Sequence, residues 1–135
     1  MRDAPRTTVR ALLQIGIVSL IAGAAVAMAS APRPADPEKG KVAFEKCAAC
    51  HTVGEDATAD GPSLKGVFGR KAGSRDDYRY SAAMKRSEIV WSAETLDAYL
   101  TDPQGYIRGN RMAFAGMADK PERDDLIAFL EQATK

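Results

Sequence analysis

The sequence predicts an all-α chain built around a small core. Three observations carry this. Three helix-start signals stand at Asp36-Pro37-Glu38, Ser92-Ala93-Glu94 and Asp119-Lys120-Pro121-Glu122. Apolar residues after the last of them recur at i, i+3, i+4 and i+7. No segment alternates with the period of two that a half-buried strand requires.

Each element follows from local chemistry. Asp36 is a capping acid, Pro37 suits the first helical position, and Glu38 places a carboxylate at the positive end of the helix dipole. Val42, Phe44, Cys47 and Cys50 follow, so the first helix is expected from Pro37 to about Ala49. A short helical turn is expected around Ser81 to Lys85. Ser92 caps the next helix, whose apolar positions include Leu96, Tyr99 and Leu100, and Pro103 forces it to stop. The last helix carries Leu126, Phe129, Leu130 and Ala133 on one face. Loops rich in Gly and Pro fill 54–73 and 103–116. There is no internal repeat and no low-complexity tract beyond the N-terminal segment.

Composition excludes several classes. The 135 residues are 45% apolar and 27% charged, with a formal net charge of +1. That balance lacks the basic excess of a nucleic-acid binder. It is also not the composition of a disordered, collagenous or many-spanning membrane protein. With two Cys and one His, the chain can build neither a disulfide scaffold nor a four-ligand Cys/His zinc site without carboxylates.

The N-terminal segment stands apart. Arg2, Arg6 and Arg10 precede an uncharged run from Ala11 to Ala31, Leu/Ile-rich at first and then Ala-rich. A positive region, an apolar region and a small-residue region in that order read as an export signal. Ala27-Met28-Ala29 fits a cleavage site before Ser30. The competing reading is an uncleaved membrane anchor, since the run is just long enough to span a bilayer. Gly16, Gly23, Gln14 and the many Ala make a weak anchor, so cleavage is favoured. In either case the arginines keep the N-terminus inside and the rest of the chain lies outside the cytoplasm, which predicts a periplasmic location. The expected organisation is residues 1–29 as signal or anchor, 30–36 as linker and 37–135 as the folded domain.

The chemistry is carried by Cys47-Ala48-Ala49-Cys50-His51. Two thiols three residues apart lie on one face of a helical turn. Each can form a thioether with one vinyl group of haem, and the adjacent imidazole can then reach the iron. Cys-x-x-Cys-His is therefore read as a c-type haem attachment site. The alternatives fare worse. A thioredoxin-like pair needs a βαβ context, and a zinc site needs a second Cys/His pair. A simple disulfide remains chemically possible. Export favours haem, which this motif usually acquires outside the cytoplasm.

His51 is the only histidine, so bis-histidine ligation within the chain is excluded. The methionines after the leader are Met84, Met112 and Met117. A Met in an apolar stretch is usually core filler. Met112 lies between Gly109 and Gly116 with small neighbours, so it can press against a flat ring, and spacing alone favours it only modestly.

Five blocks, GKVAFEKCAACHTV, GPSLKGVFGRKAG, IVWSAETLDAYLTDP, YIRGNRMAFAGM and RDDLIAFLEQAT, resemble the single-haem class I c-type cytochromes. The likeness is to the mitochondrial-type cytochrome c and its bacterial relatives, and it covers about Glu38 to Thr134 in matching order and spacing. The resemblance implies the cytochrome c fold, with the first and last helices crossing and the middle helices and loops wrapped around one covalently bound haem. It implies that Met112 supplies the second axial ligand and that the Pro62 carbonyl accepts a hydrogen bond from the other ring nitrogen of His51, which fixes the ligand's tautomer. It also implies that Gly40 and Phe44 cross Leu126 and Phe129. By the same matching, Trp91 and Tyr80 hydrogen-bond a haem propionate, Arg70 offsets its charge, and Tyr99 and Phe114 wall the Met side.

Two departures from the family pattern stand out. Met84 occupies a position where the mitochondrial type has an Asn, and a thioether donates no hydrogen bond. Of the lysine ring around the haem edge, Lys46 and Arg111 match, while Val42, Gln104 and Gly105 replace lysines.

The expected function is one-electron transfer, with no substrate and no bond made, by a monomer that exchanges electrons with redox proteins. A quinol-oxidising cytochrome complex, a terminal oxidase, a photosynthetic reaction centre or a periplasmic dehydrogenase would all serve as partners. An anchored relay subunit is the first alternative. A haem sensor or peroxidase with a labile Met112 is the second.

Overall fold

The structure is a computed structural model and describes residues 33–135. The segment read from the sequence as an export signal or anchor, with its expected cleavage site, lies outside these residues. No helix among the described residues is long and apolar enough to cross a membrane.

Five helices make up the described chain: α1 (Pro37–Ala48), α2 (Ala82–Arg86), α3 (Ala93–Thr101), α4 (Pro103–Tyr106) and α5 (Lys120–Ala133). Among the described residues there is no strand, only one isolated antiparallel bridge between Lys71 and Val90. The Asp36 carboxylate caps α1, accepting from the backbone N–H groups of Glu38 at 3.1 Å and Lys39 at 3.4 Å. Ser92 and Thr95 form a reciprocal capping box at the start of α3. Ser81 caps the five-residue α2 by accepting from the Met84 N–H at 3.1 Å. Asp119 stands at the start of α5 but makes no side-chain cap bond.

One element was not foreseen. Pro103 ends α3 as expected, and it also opens α4. Asp102 takes the N-cap place, its carboxylate accepting from the Gly105 N–H at 2.9 Å. A proline stops the helix before it and is a good first residue for a helix after it.

The crossing of α1 and α5 frames the core. Gly40, Ala43 and Phe44 are the buried face of α1. A Cβ at Gly40 would overlap the Asp125 backbone carbonyl and stand 2.7 Å from the Phe129 Cβ. Only glycine lets the two backbones meet there. One turn on, the Phe44 and Phe129 rings pack with centroids 5.4 Å apart, inside the favourable range for aromatic pairs. Leu126 and Leu130 of α5 turn to the interior.

Two buried charged groups fasten α5. Arg123 donates to the Met117 and Ala118 carbonyls at 2.6 and 3.0 Å and to the Asp97 carboxylate of α3 at 2.9 Å. Asp125 is buried, and Arg33 grips both its oxygens at 2.7 and 2.6 Å. The Asp36 N–H also donates to Asp125 at 2.7 Å. Residues read from the sequence as the end of a linker are thus held to the last helix. The Arg33 guanidinium, followed by the Asp36 N–H, keeps the Asp125 carboxyl below the usual carboxylate range despite its burial.

Candidate haem-binding site

The motif sits where α1 ends. Cys47 lies in the last turn, and the N–H groups of Cys50 and His51 both donate to the Cys47 carbonyl, at 3.0 and 2.9 Å. This turn winds the chain back and sets both thiols and the imidazole at one end of the helix. Cys47 is half-buried and Cys50 exposed, and both are free thiols. Burial pushes the Cys47 thiol up, opposed by the neighbouring Lys46 ammonium.

His51 is oriented by the loop after it. Its Nδ1 lies 2.8 Å from the Pro62 carbonyl oxygen. A carbonyl only accepts, so Nδ1 carries the proton and Nε2 keeps its lone pair. Burial lowers the His51 pKa, while the Pro62 bond works the other way. Gly61 makes this approach possible. A Cβ there would overlap the Cys50 carbonyl and stand 2.9 Å from the imidazole ring.

A cavity of about 390 Å³ opens beside the motif. All ten residues singled out in the sequence line it: Cys47, Cys50, His51, Pro62, Arg70, Tyr80, Trp91, Tyr99, Met112 and Phe114. Leu64, Val67, Leu96, Leu100, Leu126 and Leu130 complete its apolar wall. Sequence reading placed several of these in helices without assigning them to the site, because a core leucine and a cavity leucine look alike in a periodic pattern.

The aromatic groups are locked by contacts. Trp91 packs against Tyr99 with ring centroids 5.1 Å apart, and Tyr78 meets Tyr80 edge-on at 5.0 Å. Trp91 is held by backbone pairing: its N–H donates to the Arg70 carbonyl at 2.9 Å, and its carbonyl accepts from Gly69 at 2.8 Å. The Arg70 guanidinium donates to the Lys65 and Ser63 carbonyls at 2.6 and 3.0 Å. Neutral carbonyls leave its positive charge uncompensated, so it can face an anion. Burial nevertheless lowers its pKa.

Met112 lies in the loop between α4 and α5. Its sulfur is 3.4 Å from the Tyr99 hydroxyl, which donates to it. Burial pushes the Tyr99 pKa far up, so this hydroxyl stays protonated. Asn110 was missed in the sequence. It is buried, and its amide bonds to the N–H of Met112, to Tyr99 and to two carbonyls of the α4 region. The Gly109 bracket was visible, but nothing local shows where an Asn side chain folds back. Met84 is buried and lines the same cavity; Met117 is buried and does not line it.

The residues fit a haem c. Two thiols stand a helical turn apart, a neutral imidazole presents one free nitrogen, and a thioether lies in a largely apolar cavity that Arg70 lines, with Lys46 and Arg111 also on its wall. That donor set suits iron in a porphyrin and suits no all-protein metal site; among the described residues no group of three or more His, Cys, Asp or Glu could hold an ion.

Comparison with known proteins agrees. The cytochrome c family profile matches residues 37–134. A cytochrome c2 of Rhodoplanes tepidamans is 48% identical over 98 residues, covering 72% of this chain and 92% of that one. A cytochrome c type-1 of Ascaris suum is 45% identical over 101 residues, covering 74% and 90%. Among solved structures, cytochrome cH from Methylobacterium extorquens superposes with a TM-score of 0.68 at 41% identity, covering 72% of this chain and 98% of that one. The chain therefore belongs to the cytochrome c family, a family of electron carriers with covalently attached haem c rather than enzymes.

Proposed function

We propose that this chain is a one-electron carrier that holds haem c through thioethers from Cys47 and Cys50, with His51 and Met112 as axial ligands. The observation that carries the reading is the bond from the His51 Nδ1 proton to the Pro62 carbonyl at 2.8 Å, beside a cavity that Met112 also lines. It leaves Nε2 as a ready-made donor. When bound with one imidazole and one thioether, haem c supplies a ferric/ferrous couple of raised potential.

The chain's own residues do the rest. Pro62 keeps the imidazole in one tautomer and one plane. Tyr99 donates to the Met112 sulfur and holds it in place. The apolar wall keeps water from the site, which raises the cost of the additional positive charge on the oxidised side. Arg70, with Tyr80 and Trp91 on the same cavity, is the group that offsets a propionate charge. Phe114 covers the Met112 side.

Partners fit redox proteins on the outer side of the cytoplasmic membrane: a quinol-oxidising complex, a terminal oxidase, a reaction centre or a dehydrogenase. The leader-like sequence supports a periplasmic location, either free after cleavage or anchored without it. Charge steering by the cavity rim is modest. Of the two rim cations matching the family's ring, Lys46 is paired with Glu122 at 2.6 Å, while Arg111 donates to the Arg79 carbonyl at 3.0 Å.

Potentiometric titration of the haem-loaded protein tests this function. The expected result is a single one-electron wave at a positive potential, with no carbon monoxide adduct of the ferrous form. A negative potential or ready carbon monoxide uptake would favour a sensor or peroxidase and overturn the carrier reading.

A further inference from the structure

The Met112 segment is held by a side chain that does not itself line the cavity. Asn110 is 6% exposed, in the loop between α4 and α5. Its Oδ1 accepts from the Met112 N–H at 2.8 Å, and more loosely from the Tyr99 hydroxyl at 3.3 Å and Gln104 Nε2 at 3.4 Å. Its Nδ2 donates to the Pro103 carbonyl at 2.7 Å and the Ile107 carbonyl at 2.9 Å. The amide cannot be flipped. The Met112 N–H needs an acceptor, and the two carbonyls need a donor. One planar group thus joins both ends of α4 to the residue that carries the sulfur.

Gln104 adds an outer clasp. Its Nε2 lies 3.3 Å from both the Asn110 and the Met112 carbonyls. It stands where the related mitochondrial-type pattern has a lysine, so a surface charge has been exchanged for a hold on this loop.

We propose that Asn110 is a positioning residue that sets how readily an outside ligand replaces the Met112 sulfur. This rests on the reading of Met112 as axial ligand. Opening the loop breaks the Met112 N–H bond first, because that bond lies closest to the ligand. The bonds to Pro103 and Ile107 keep the Asn110 side chain in place for reclosure. Asp at this position keeps the acceptor but loses both donors and sets a carboxylate against two carbonyl oxygens. Ala loses everything.

The test uses the haem-loaded full chain, with imidazole as the competing ligand and the near-infrared sulfur-to-iron band as the readout of Met112 attachment. Asn110→Ala is expected to raise imidazole affinity at least about tenfold, the equivalent of one to two buried hydrogen bonds. Asn110→Asp is expected to do the same or more. Gln104→Ala, which removes only the exposed clasp, is expected to raise it a few fold. Ile127→Ala, a core truncation on α5 away from the cavity, controls for general loosening. The proposal is overturned if Asn110→Ala binds imidazole within twofold of the parent, or if Ile127→Ala raises the affinity equally. Should Asn110→Ala not accumulate, Asn110→Asp decides, and an imidazole affinity within twofold of the parent overturns the proposal. A parent protein without the near-infrared band sinks the axial-ligand reading and this proposal together. A parent that shows the band while the Asn110 variants behave like it sinks the proposal only.

Discussion

Gly40→Ala isolates the helix crossing that frames the site. The new Cβ would overlap the Asp125 carbonyl and approach the Phe129 Cβ to 2.7 Å, where carbon atoms prefer about 3.5–4.0 Å. The nearest obstacle is backbone, so it cannot rotate away. α1 and α5 must separate by roughly 1 Å, which forfeits about a quarter to a half of the dispersion energy at each affected contact. Overpacking of this kind costs about 1–3 kcal/mol, with this site at the upper end. Alanine returns about 1 kcal/mol through better helix propensity. The net is a loss of about 2 kcal/mol, a fall in Tm of roughly 8 °C for a domain of this size. Gly54→Ala is the matched control. A Cβ at Gly54 would have nothing within 4 Å, and the φ there is not left-handed, so the same substitution should be neutral or stabilising by up to about 1 kcal/mol. Thermal unfolding of both variants, followed by far-ultraviolet circular dichroism, checks this. A Gly40→Ala protein as stable as the parent would refute the close-crossing argument.

Three further outcomes rest on the same geometry. Arg33→Ala removes the partner that keeps Asp125 ionised; a depressed carboxyl stabilises above its unfolded pKa of about 3.9 and loses that contribution as pH falls through the folded value. The Tm gap between parent and Arg33→Ala should therefore be open at neutral pH and close below about pH 4; a gap that widens on acidification contradicts this. Tyr99→Phe removes the donor to the Met112 sulfur, a bond that is stronger when the sulfur carries more electron density in the reduced state. The potential should fall by about 20–60 mV, the equivalent of one modest hydrogen bond, and voltammetry reporting a rise would refute the assignment. Glu122→Gln frees Lys46, so oxidation by ferricyanide should quicken by about twofold at low ionic strength and be unchanged at high salt; equal acceleration at both would exclude an electrostatic cause.

Local signals were legible and long-range ones were not. The caps at Asp36 and Ser92 could be read because a cap is completed within three residues of itself, while at Ser81 only the helical turn was expected and the cap itself came from the structure. Asp119 had the right neighbours yet makes no cap bond, since residue type does not fix a side-chain rotamer. α4 was hidden by the double meaning of Pro103. The attachment motif was legible because its chemistry lies within five consecutive residues. The Pro62 carbonyl, Arg70, Tyr80, Trp91, Tyr99 and Phe114 came from likeness to a family, and the structure gathers them around one cavity. Neither route could find the Asn110 network or the Arg33–Asp125 pair. The first depends on where a loop folds back, and the second joins residues 92 apart in sequence.

The axial pair is the central claim, and the near-infrared spectrum of the ferric, haem-loaded protein tests it most directly. The account predicts a weak sulfur-to-iron charge-transfer band that Met112→Ala abolishes and Met84→Ala leaves in place. Absence of the band from the parent protein, or its survival in Met112→Ala, would contradict the assignment; in the second case Met84, the other thioether on the cavity wall, would be the sulfur donor.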